Sequence, residues 1–315
     1  MAVQPRLSES ALRRHLTGVC PIPIFPFTPR GSVDLDGHAK NVRYLLDNNH
    51  LDDGLARVVA TGGTSLIHHA DPGELTAVVD RMGRVMEDRG VLIAGLPPNM
   101  PIAERLVAEQ VRLERPPDIF MLMPLLGYYR HEGLLDTYRR FADRHGANGA
   151  RFIGYMRNSQ DLDAFAELLE RSEQFVGIKI GSGLEDAAKM SERVGDRKSV
   201  IWGAGDIGSS EAARHGVVGH TSGSGMFAIA LSDAINNAYR RGDFEEGVRL
   251  EERFRPFERI RGELDYGYAS LFAAIRAGGW DDLEAGAGHS LNPSVPPDVA
   301  AMIRDAIAPL LPYHT

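Results

Sequence analysis

The chain contains 315 residues, of which 43 % are hydrophobic and 25 % are charged, and its formal net charge at pH 7 is −8. These proportions are ordinary for a globular protein, and the negative charge argues against a surface for nucleic acid or an anionic membrane. The single cysteine, Cys20, excludes an internal disulfide and is typical of a reducing compartment, and its apolar neighbours predict an inert core thiol. Residues 1–16 lack the apolar segment of a signal peptide, and no later run approaches the roughly 18 apolar residues of a membrane span, so a cytoplasmic protein is expected.

From residue 18 onward, short apolar runs that end in Gly, Pro, Ser or Thr alternate with longer segments of helical period. This alternation is typical of βα units and a parallel sheet. Eight strands are predicted, at residues 19–27, 55–61, 91–96, 119–123, 150–156, 175–180, 200–202 and 217–221. Each is followed by a predicted helix, at residues 36–48, 72–89, 102–115, 132–145, 162–171, 184–194, 209–215 and 227–241. Eight βα units over about 220 residues predict a (β/α)8 TIM barrel, an α/β fold whose active site lies at the C-terminal ends of the strands.

The alternation stops after Gly242. Three further helical segments are predicted, at residues 244–259, 266–277 and 296–311, with Gly- and Pro-rich breaks around residues 278–297. The sequence therefore predicts two parts, a barrel with a short N-terminal helix at residues 1–241 and a C-terminal helical subdomain at residues 242–315.

Lys179 is the residue on which the functional interpretation depends. It stands in an apolar run that is ended by Gly and Ser, which fits a parallel strand covered on both faces. The chain has only four lysines against thirty-one arginines, so this lysine is not routine surface charge. Desolvation favours the neutral form of an amine, and a neutral amine attacks a carbonyl carbon to form a Schiff base. The alternative is a lysine at a strand end that reaches solvent or pairs with a carboxylate.

Two other predicted strand ends carry polar groups that would meet Lys179 on the same rim. After the second strand, the backbone N–H of Gly63 and the hydroxyl groups of Thr64 and Ser65 would suit a substrate carboxylate, although a simple βα turn is an equal alternative. Tyr155 ends the fifth strand, where its phenol could relay protons at a carbinolamine or a leaving hydroxyl. Core packing is the alternative interpretation of a tyrosine in a strand.

Three motifs suggest other functions. Residues 203–208 match GxGxxG, but they lie in the seventh βα unit and the next strand does not end in an acidic residue, so a nicotinamide cofactor is not predicted. The glycine-rich loop that begins with Thr221 and Ser222 lies where barrels often bind phosphate, yet no Lys or Arg accompanies it. His68 and His69 could suggest a metal-dependent aldolase, but adjacent side chains diverge and no other ligand has metal-site spacing. No cofactor and no metal are predicted.

Taken together, the motifs resemble those of the dihydrodipicolinate synthase / N-acetylneuraminate lyase superfamily, which comprises class I aldolases and dehydratases. The resemblance covers nearly the whole chain. Besides Lys179 and Tyr155, it depends on residues 23–27, 62–66, 132–134, 176–179 and 205–206.

The resemblance implies a role for each of these residues. Lys179 would be the Schiff-base nucleophile, Tyr155 the proton shuttle, and Thr64 with neighbouring loop N–H groups the site for the carboxylate of a 2-oxo acid substrate. The protonated imine would be an electron sink for C–C cleavage or for loss of a hydroxyl group. The family also implies a homotetramer built as a dimer of dimers.

Departures from the family pattern fall on specificity positions. Leu66 replaces a glutamate, and Leu126 takes the place of a second tyrosine, although Tyr128 and Tyr129 follow and Tyr129 is predicted to contact substrate. Gln160 stands near the position of the arginine that dihydrodipicolinate synthases use for their second substrate. Other positions are more similar to 5-dehydro-4-deoxyglucarate dehydratases, namely residues 62–64, 155–159, 221–222, 256–257 and 268–269.

The sequence therefore predicts a lyase that acts on a 2-keto-3-deoxy sugar acid, by dehydration or by C–C cleavage, with Thr221 and Ser222 among its substrate-binding residues. The alternatives are a pyruvate-dependent aldolase or synthase for another aldehyde, and a barrel that binds a 2-oxo acid without turnover.

Overall fold

Eight parallel strands form the centre of the molecule. The computed structural model describes residues 5–315. Its strands are β1 (Val19–Pro21), β2 (Arg57–Ala60), β3 (Gly90–Leu96), β4 (Ile119–Leu122), β5 (Phe152–Met156), β6 (Phe175–Ile180), β7 (Ser199–Trp202) and β8 (Gly219–Ser222). They pair in the order β1-β8-β7-β6-β5-β4-β3-β2, which curls the sheet into a nearly closed barrel. The predicted TIM barrel is confirmed.

Every strand residue is buried, because helices cover the outside of the barrel and side chains fill its interior. The strands lie where the sequence predicts them but are mostly shorter. The first strand is predicted to reach residue 27 and ends at Pro21, because three prolines at positions 21, 23 and 26 have no N–H to donate to a neighbouring strand.

The helices alternate with the strands around the outside of the barrel. They are α1 (Glu9–His15), α2 (Leu35–Asp47), α3 (Pro72–Met86), α4 (Met100–Gln110), α5 (His131–Gly146), α6 (Leu162–Arg171), α7 (Leu184–Val194), α8 (Ser209–Arg214) and α9 (Ile229–Arg240). Local sequence explains their starts. At α3, the Asp71 carboxylate accepts from the backbone N–H of Glu74, the Glu74 side chain accepts from that of Asp71, and Pro72 occupies the first turn.

Four further helices follow the barrel, namely α10 (Phe244–Glu251), α11 (Arg255–Glu263), α12 (Gly267–Gly278) and α13 (Pro297–Ile307). The predicted single helix at residues 244–259 is therefore two helices, since Pro256 starts a new helix and cannot continue the old one. These helices pack on the barrel, and the Tyr268 hydroxyl donates to the Phe25 carbonyl oxygen at 2.7 Å. The division of the chain at residue 241 stays a prediction, and residues 1–4 of the predicted barrel part lie outside the described residues. Across residues 5–315, no helix is both long enough and apolar enough to cross a membrane.

Candidate active site

A cavity of about 810 Å³ opens at the C-terminal ends of the strands. Of the predicted site residues, six line it: Gly63, Thr64, Tyr129, Tyr155, Lys179 and Thr221. Its position is the one that TIM barrels use for catalysis. The structure thus brings together side chains from five different βα units.

Lys179 lies on β6 at the bottom of the cavity and is 6 % exposed. Its register partner on β5 is Tyr155, and the ammonium nitrogen lies 4.2 Å from the centroid of the Tyr155 ring. This contact holds the amino group of the lysine against the face of the ring. Among the described residues, the ion pairs include Lys189 with Glu185 but none of Lys179. The amine therefore faces the cavity without a carboxylate partner.

Two glycines make room for this pair of side chains. A Cβ atom at Gly203 would lie 2.9 Å from Lys179 Cε and 2.6 Å from the Ile180 carbonyl oxygen. A Cβ atom at Gly181 would lie 3.1 Å from the hydroxyl oxygen of Tyr155. Gly203 belongs to the GxGxxG motif, so close packing against the lysine accounts for the first glycine of that motif.

The thiol of Cys20 is buried in strand β1, and burial raises its pKa to about 12. Cys20 is therefore a protonated core thiol, as its apolar neighbours predict. The positive charge of Lys179 lowers this pKa, but by less than burial raises it.

Of the three predicted residues in the loop after β2, two line the cavity and one is buried in the core. Gly63 and Thr64 line the cavity together with Lys179. Ser65 is fully buried, and its hydroxyl donates to the Pro23 carbonyl oxygen at 2.7 Å while accepting from the Gly62 N–H at 3.3 Å. The structure does not bring Ser65 to the cavity.

Of the last two residues of β8, one lines the cavity and the other is buried. Thr221 lines the cavity, and its hydroxyl donates to the Trp202 carbonyl oxygen at 3.3 Å. Ser222 is buried, and its hydroxyl donates to the carboxylate of Asp206, which also accepts from the hydroxyl of Ser232 and lies 3.2 Å from the ring of His220. Ser222 thus belongs to a buried network behind the cavity wall and does not line the cavity.

The predicted Tyr129 lines the cavity together with Asp161, for which the strand-end pattern gave no signal. Tyr129 is the tyrosine that faces the cavity, whereas Tyr128 is fully exposed. The Tyr129 hydroxyl donates to Asp161 Oδ2 at 2.7 Å, and burial, followed by the Asp161 carboxylate, raises the pKa of Tyr129 to about 12. His131 Nδ1 lies 2.9 Å from the other oxygen of Asp161.

Two arginines add positive charge to the cavity. Arg157 follows β5 and is exposed at the rim. Arg261 lies on α11 and forms an ion pair with Glu258 at 3.1 Å. Its guanidinium group packs over Gly223, because a Cβ atom added at Gly223 would lie 2.7 Å from it. The C-terminal helices therefore supply part of the wall. No pattern within residues 18–241 could have indicated Arg261, because it comes from a helix beyond the last βα unit.

The two adjacent histidines have different surroundings. His68 lines the cavity, whereas the ring of His69 stacks on that of His289 with centroids 5.2 Å apart. Within residues 5–315, no three His, Cys, Asp or Glu side chains are grouped as ligands of a metal ion.

Comparisons with known proteins show which family the chain is similar to. The sequence model of the dihydrodipicolinate synthetase family matches residues 15–282. A 4-hydroxy-tetrahydrodipicolinate synthase from Moorella thermoacetica is 25 % identical over 74 % of this chain and 78 % of its own length. A probable 5-dehydro-4-deoxyglucarate dehydratase from Oceanobacillus iheyensis is 23 % identical over 84 % of both chains.

Solved structures share the fold over nearly the whole length. A dihydrodipicolinate synthase from Bacillus clausii superposes with a TM-score of 0.84 at 21 % identity, covering 94 % of this chain and 98 % of that one. An N-acetylneuraminate lyase from Mycoplasma synoviae gives a TM-score of 0.79 at 17 % identity, covering 94 % and 99 %. With the family match extending over most of the barrel and into the C-terminal helices, the chain belongs to the dihydrodipicolinate synthetase family.

Proposed function

We propose that this protein is a lyase that forms a Schiff base between Lys179 and the keto carbon of a 2-keto-3-deoxy sugar acid. The observation that carries the proposal is the Lys179 side chain, a desolvated amine without a carboxylate partner at the bottom of the cavity, with the Tyr155 ring 4.2 Å away. A buried lysine of this kind is the nucleophile that carbonyl substrates require.

In the proposed mechanism, the Lys179 amine adds to the keto carbon and gives a carbinolamine. Tyr155 shuttles a proton to the departing hydroxyl, so that water leaves and an iminium ion remains. The Gly63 N–H and the Thr64 hydroxyl bind the substrate carboxylate during these steps.

The iminium ion then accepts the electron pair that is released at C3. In a dehydration, the C3 proton is removed, an enamine forms, and the C4 hydroxyl leaves with a proton as water. In a retro-aldol cleavage, the C3–C4 bond breaks instead, the C4 hydroxyl proton is lost as an aldehyde forms, and C3 of the enamine that remains takes up a proton to give an imine. Hydrolysis of the final imine returns the free amine of Lys179 and releases the 2-oxo acid product.

A pyruvate-dependent aldolase or synthase is the second candidate. It is supported by the relatives that are named 4-hydroxy-tetrahydrodipicolinate synthases. Pyruvate is a product of the cleavage reaction, a substrate of the condensation and absent from the dehydration. Measuring pyruvate by a coupled assay, with a keto-deoxy sugar acid or with pyruvate and an aldehyde, therefore separates the three reactions.

The Schiff base itself is tested by intact-protein mass after incubation with pyruvate and sodium borohydride. The wild type is expected to gain the mass of one reduced pyruvate unit, and Lys179→Ala is expected to gain none. Lys189→Ala is the matched control, because Lys189 is an exposed lysine on α7 that pairs with Glu185. An unmodified wild type with every 2-oxo acid tried would overturn the proposal.

The resemblance to the family also supports a cytoplasmic homotetramer as our proposal for the assembled enzyme. Light scattering coupled to size-exclusion chromatography is the test. A monomeric mass at micromolar concentration would contradict it.

A further inference from the structure

Tyr129, Asp161 and His131 form a cluster on the cavity wall that the proposed mechanism does not use. Tyr129 and Asp161 line the cavity, while the side chain of His131 is 45 % exposed. The Tyr129 hydroxyl donates to one oxygen of Asp161 at 2.7 Å, and His131 Nδ1 lies 2.9 Å from the other. The cluster joins the segment before α5 to the turn before α6.

The two carboxylate oxygens of Asp161 contact these two side chains, one oxygen each. It immediately precedes α6, where a carboxylate commonly caps the helix, but its side chain makes no capping hydrogen bond. The side chain is 4 % exposed, so it is a buried carboxylate whose partners lie on the neighbouring loop. A buried carboxylate of this kind is a strong acceptor that fixes the donors around it.

This arrangement sets the hydrogen-bonding character of Tyr129. A phenol has one proton, and the proton of Tyr129 points at Asp161. Burial and the nearby carboxylate raise the pKa of Tyr129 to about 12, so the phenol keeps this proton at neutral pH. The phenol oxygen also has two lone pairs; the Asn158 side chain, which lines the same cavity, donates towards this oxygen and lowers the pKa of Tyr129, and the remaining lone pair can accept from a donor in the cavity.

We propose that Tyr129, oriented by Asp161, is a subsite for a hydroxyl group on the substrate chain beyond the keto carbon. A hydroxyl can donate to the Tyr129 oxygen, whereas a carboxylate or keto oxygen cannot, and the negative charge of Asp161 opposes a second carboxylate at this wall. The inference rests on the proposed Schiff-base function and assigns the wall of the cavity that binds the hydroxylated part of the substrate. Tyr129 is the binding residue, and Asp161 is a positioning residue that acts through it.

The test compares two acids of equal chain length, 2-keto-3-deoxygluconate and 2-oxohexanoate, which lacks the hydroxyl groups. For each acid, we measure the concentration that gives half-maximal trapping by borohydride. The concentration for 2-oxohexanoate divided by that for 2-keto-3-deoxygluconate defines the preference for hydroxyl groups. Tyr129→Phe is expected to reduce this preference about tenfold, the effect of losing one buried hydrogen bond. Tyr128→Phe is the matched control, because that neighbouring side chain is fully exposed, and it is expected to keep the wild-type preference.

Asp161→Asn is the second variant, in case Tyr129→Phe does not fold. It keeps the size of the side chain but removes the negative charge and one of the two acceptor oxygens, so Tyr129 and His131 can no longer both be held by acceptor atoms of this side chain, and the preference is also expected to fall. Because Asp161 acts through Tyr129, adding Asp161→Asn to Tyr129→Phe is expected to reduce the preference no further, a non-additivity that a general loss of stability would not give.

A wild type without a preference for the hydroxylated acid, or variants that retain the wild-type ratio within twofold, would overturn this inference and leave the Schiff base intact. A wild type that forms no adduct with any 2-oxo acid would overturn the proposed function, and this inference with it.

Discussion

The contact between Lys179 and Tyr155 depends on the absence of a side chain at position 203. The ideal Cβ atom at Gly203 would approach Lys179 Cε to 2.9 Å and the carbonyl oxygen of Ile180 to 2.6 Å. Distances below about 3 Å cannot be relieved by the lysine alone, because the second contact is with backbone. An added methyl group would therefore push the amine away from the Tyr155 ring.

Gly203→Ala is accordingly expected to slow formation of the borohydride-reduced pyruvate adduct by at least about tenfold. The reason is that a displacement of about 1 Å at a reacting group can reduce the rate about a hundredfold. The rate of adduct formation, followed by intact-protein mass, is the measurement. Gly133→Ala serves as control, because a Cβ atom at Gly133 meets no other atom within 4 Å. A Gly203→Ala variant that is trapped at the wild-type rate would show that the lysine does not need this packing.

At the scale of whole elements, one buried ion pair holds together the end of the barrel opposite the cavity. Arg57, at the start of β2, and Asp233, on α9, are 1 % and 0 % exposed, with a guanidinium nitrogen 2.5 Å from a carboxylate oxygen. Arg57 also donates to the carbonyl oxygens of Leu45 and Asn48, at 3.2 and 2.9 Å. The pair therefore links a strand to two helices.

Removing one partner leaves the other charge buried and unpaired. Arg57→Met and Asp233→Leu are each expected to lower the free energy of unfolding by about 3–5 kcal/mol, as broken buried pairs do. The double variant is expected to lose less than the sum of the single losses, because no buried charge remains. Urea unfolding of the four proteins is the measurement, and additive losses would show that the two charges do not interact. Arg81→Met is the matched control, since its ion pair with Asp36 is exposed.

The order of strands and helices was predictable because hydrophobic period and turn residues are local signals. The alternation predicts all eight strands, and the strand-end rule places Lys179, Tyr155 and Thr64 at one cavity. The same rule fails for Ser65 and Ser222, since small hydroxyl residues in turns readily bond to nearby backbone or to buried carboxylates.

Other cavity residues could not be predicted, because their positions depend on long-range packing. Asp161 lies five residues beyond the end of β5, and its contact with Tyr129 spans 32 positions of the chain. Arg261 reaches the cavity from α11. Pro256 in the first turn of that helix is visible in the sequence, but the packing of the helix on the barrel is not. Only the folded barrel brings these groups to one wall.

At the scale of the whole molecule, the burial of histidine side chains makes stability depend on pH, and His38 shows this most clearly. His38, on α2, is 1 % exposed, packs edge-on against Phe25 and has its Nδ1 atom 3.3 Å from the Ile24 carbonyl oxygen. Among the described residues its Nε2 atom has no hydrogen-bond partner. Burial lowers the pKa of His38 to about 4, and it also lowers the pKa values of His15 and His145.

The direction of the pH effect follows from these shifts. In the unfolded chain a histidine binds its proton near pH 6.5, whereas His38 in the folded protein does so only near pH 4. Between these values the unfolded state carries more protons, so the free energy of unfolding falls as the pH falls, and His38 contributes no further loss below about pH 4. A shift of this size corresponds to a loss of about 3 kcal/mol over the window.

His38→Met is therefore expected to be less sensitive to acid than the wild type, even if it is less stable at neutral pH. Urea unfolding at pH 7.5 and pH 4.5 gives the difference in unfolding free energy for each protein, and this difference is expected to be about 2–3 kcal/mol smaller in the variant. His50→Gln, at an exposed position, controls for loss of a histidine as such. Equal pH dependence in His38→Met and the wild type would mean that the acid sensitivity of the barrel arises from other groups, of which His145 would be the next to replace.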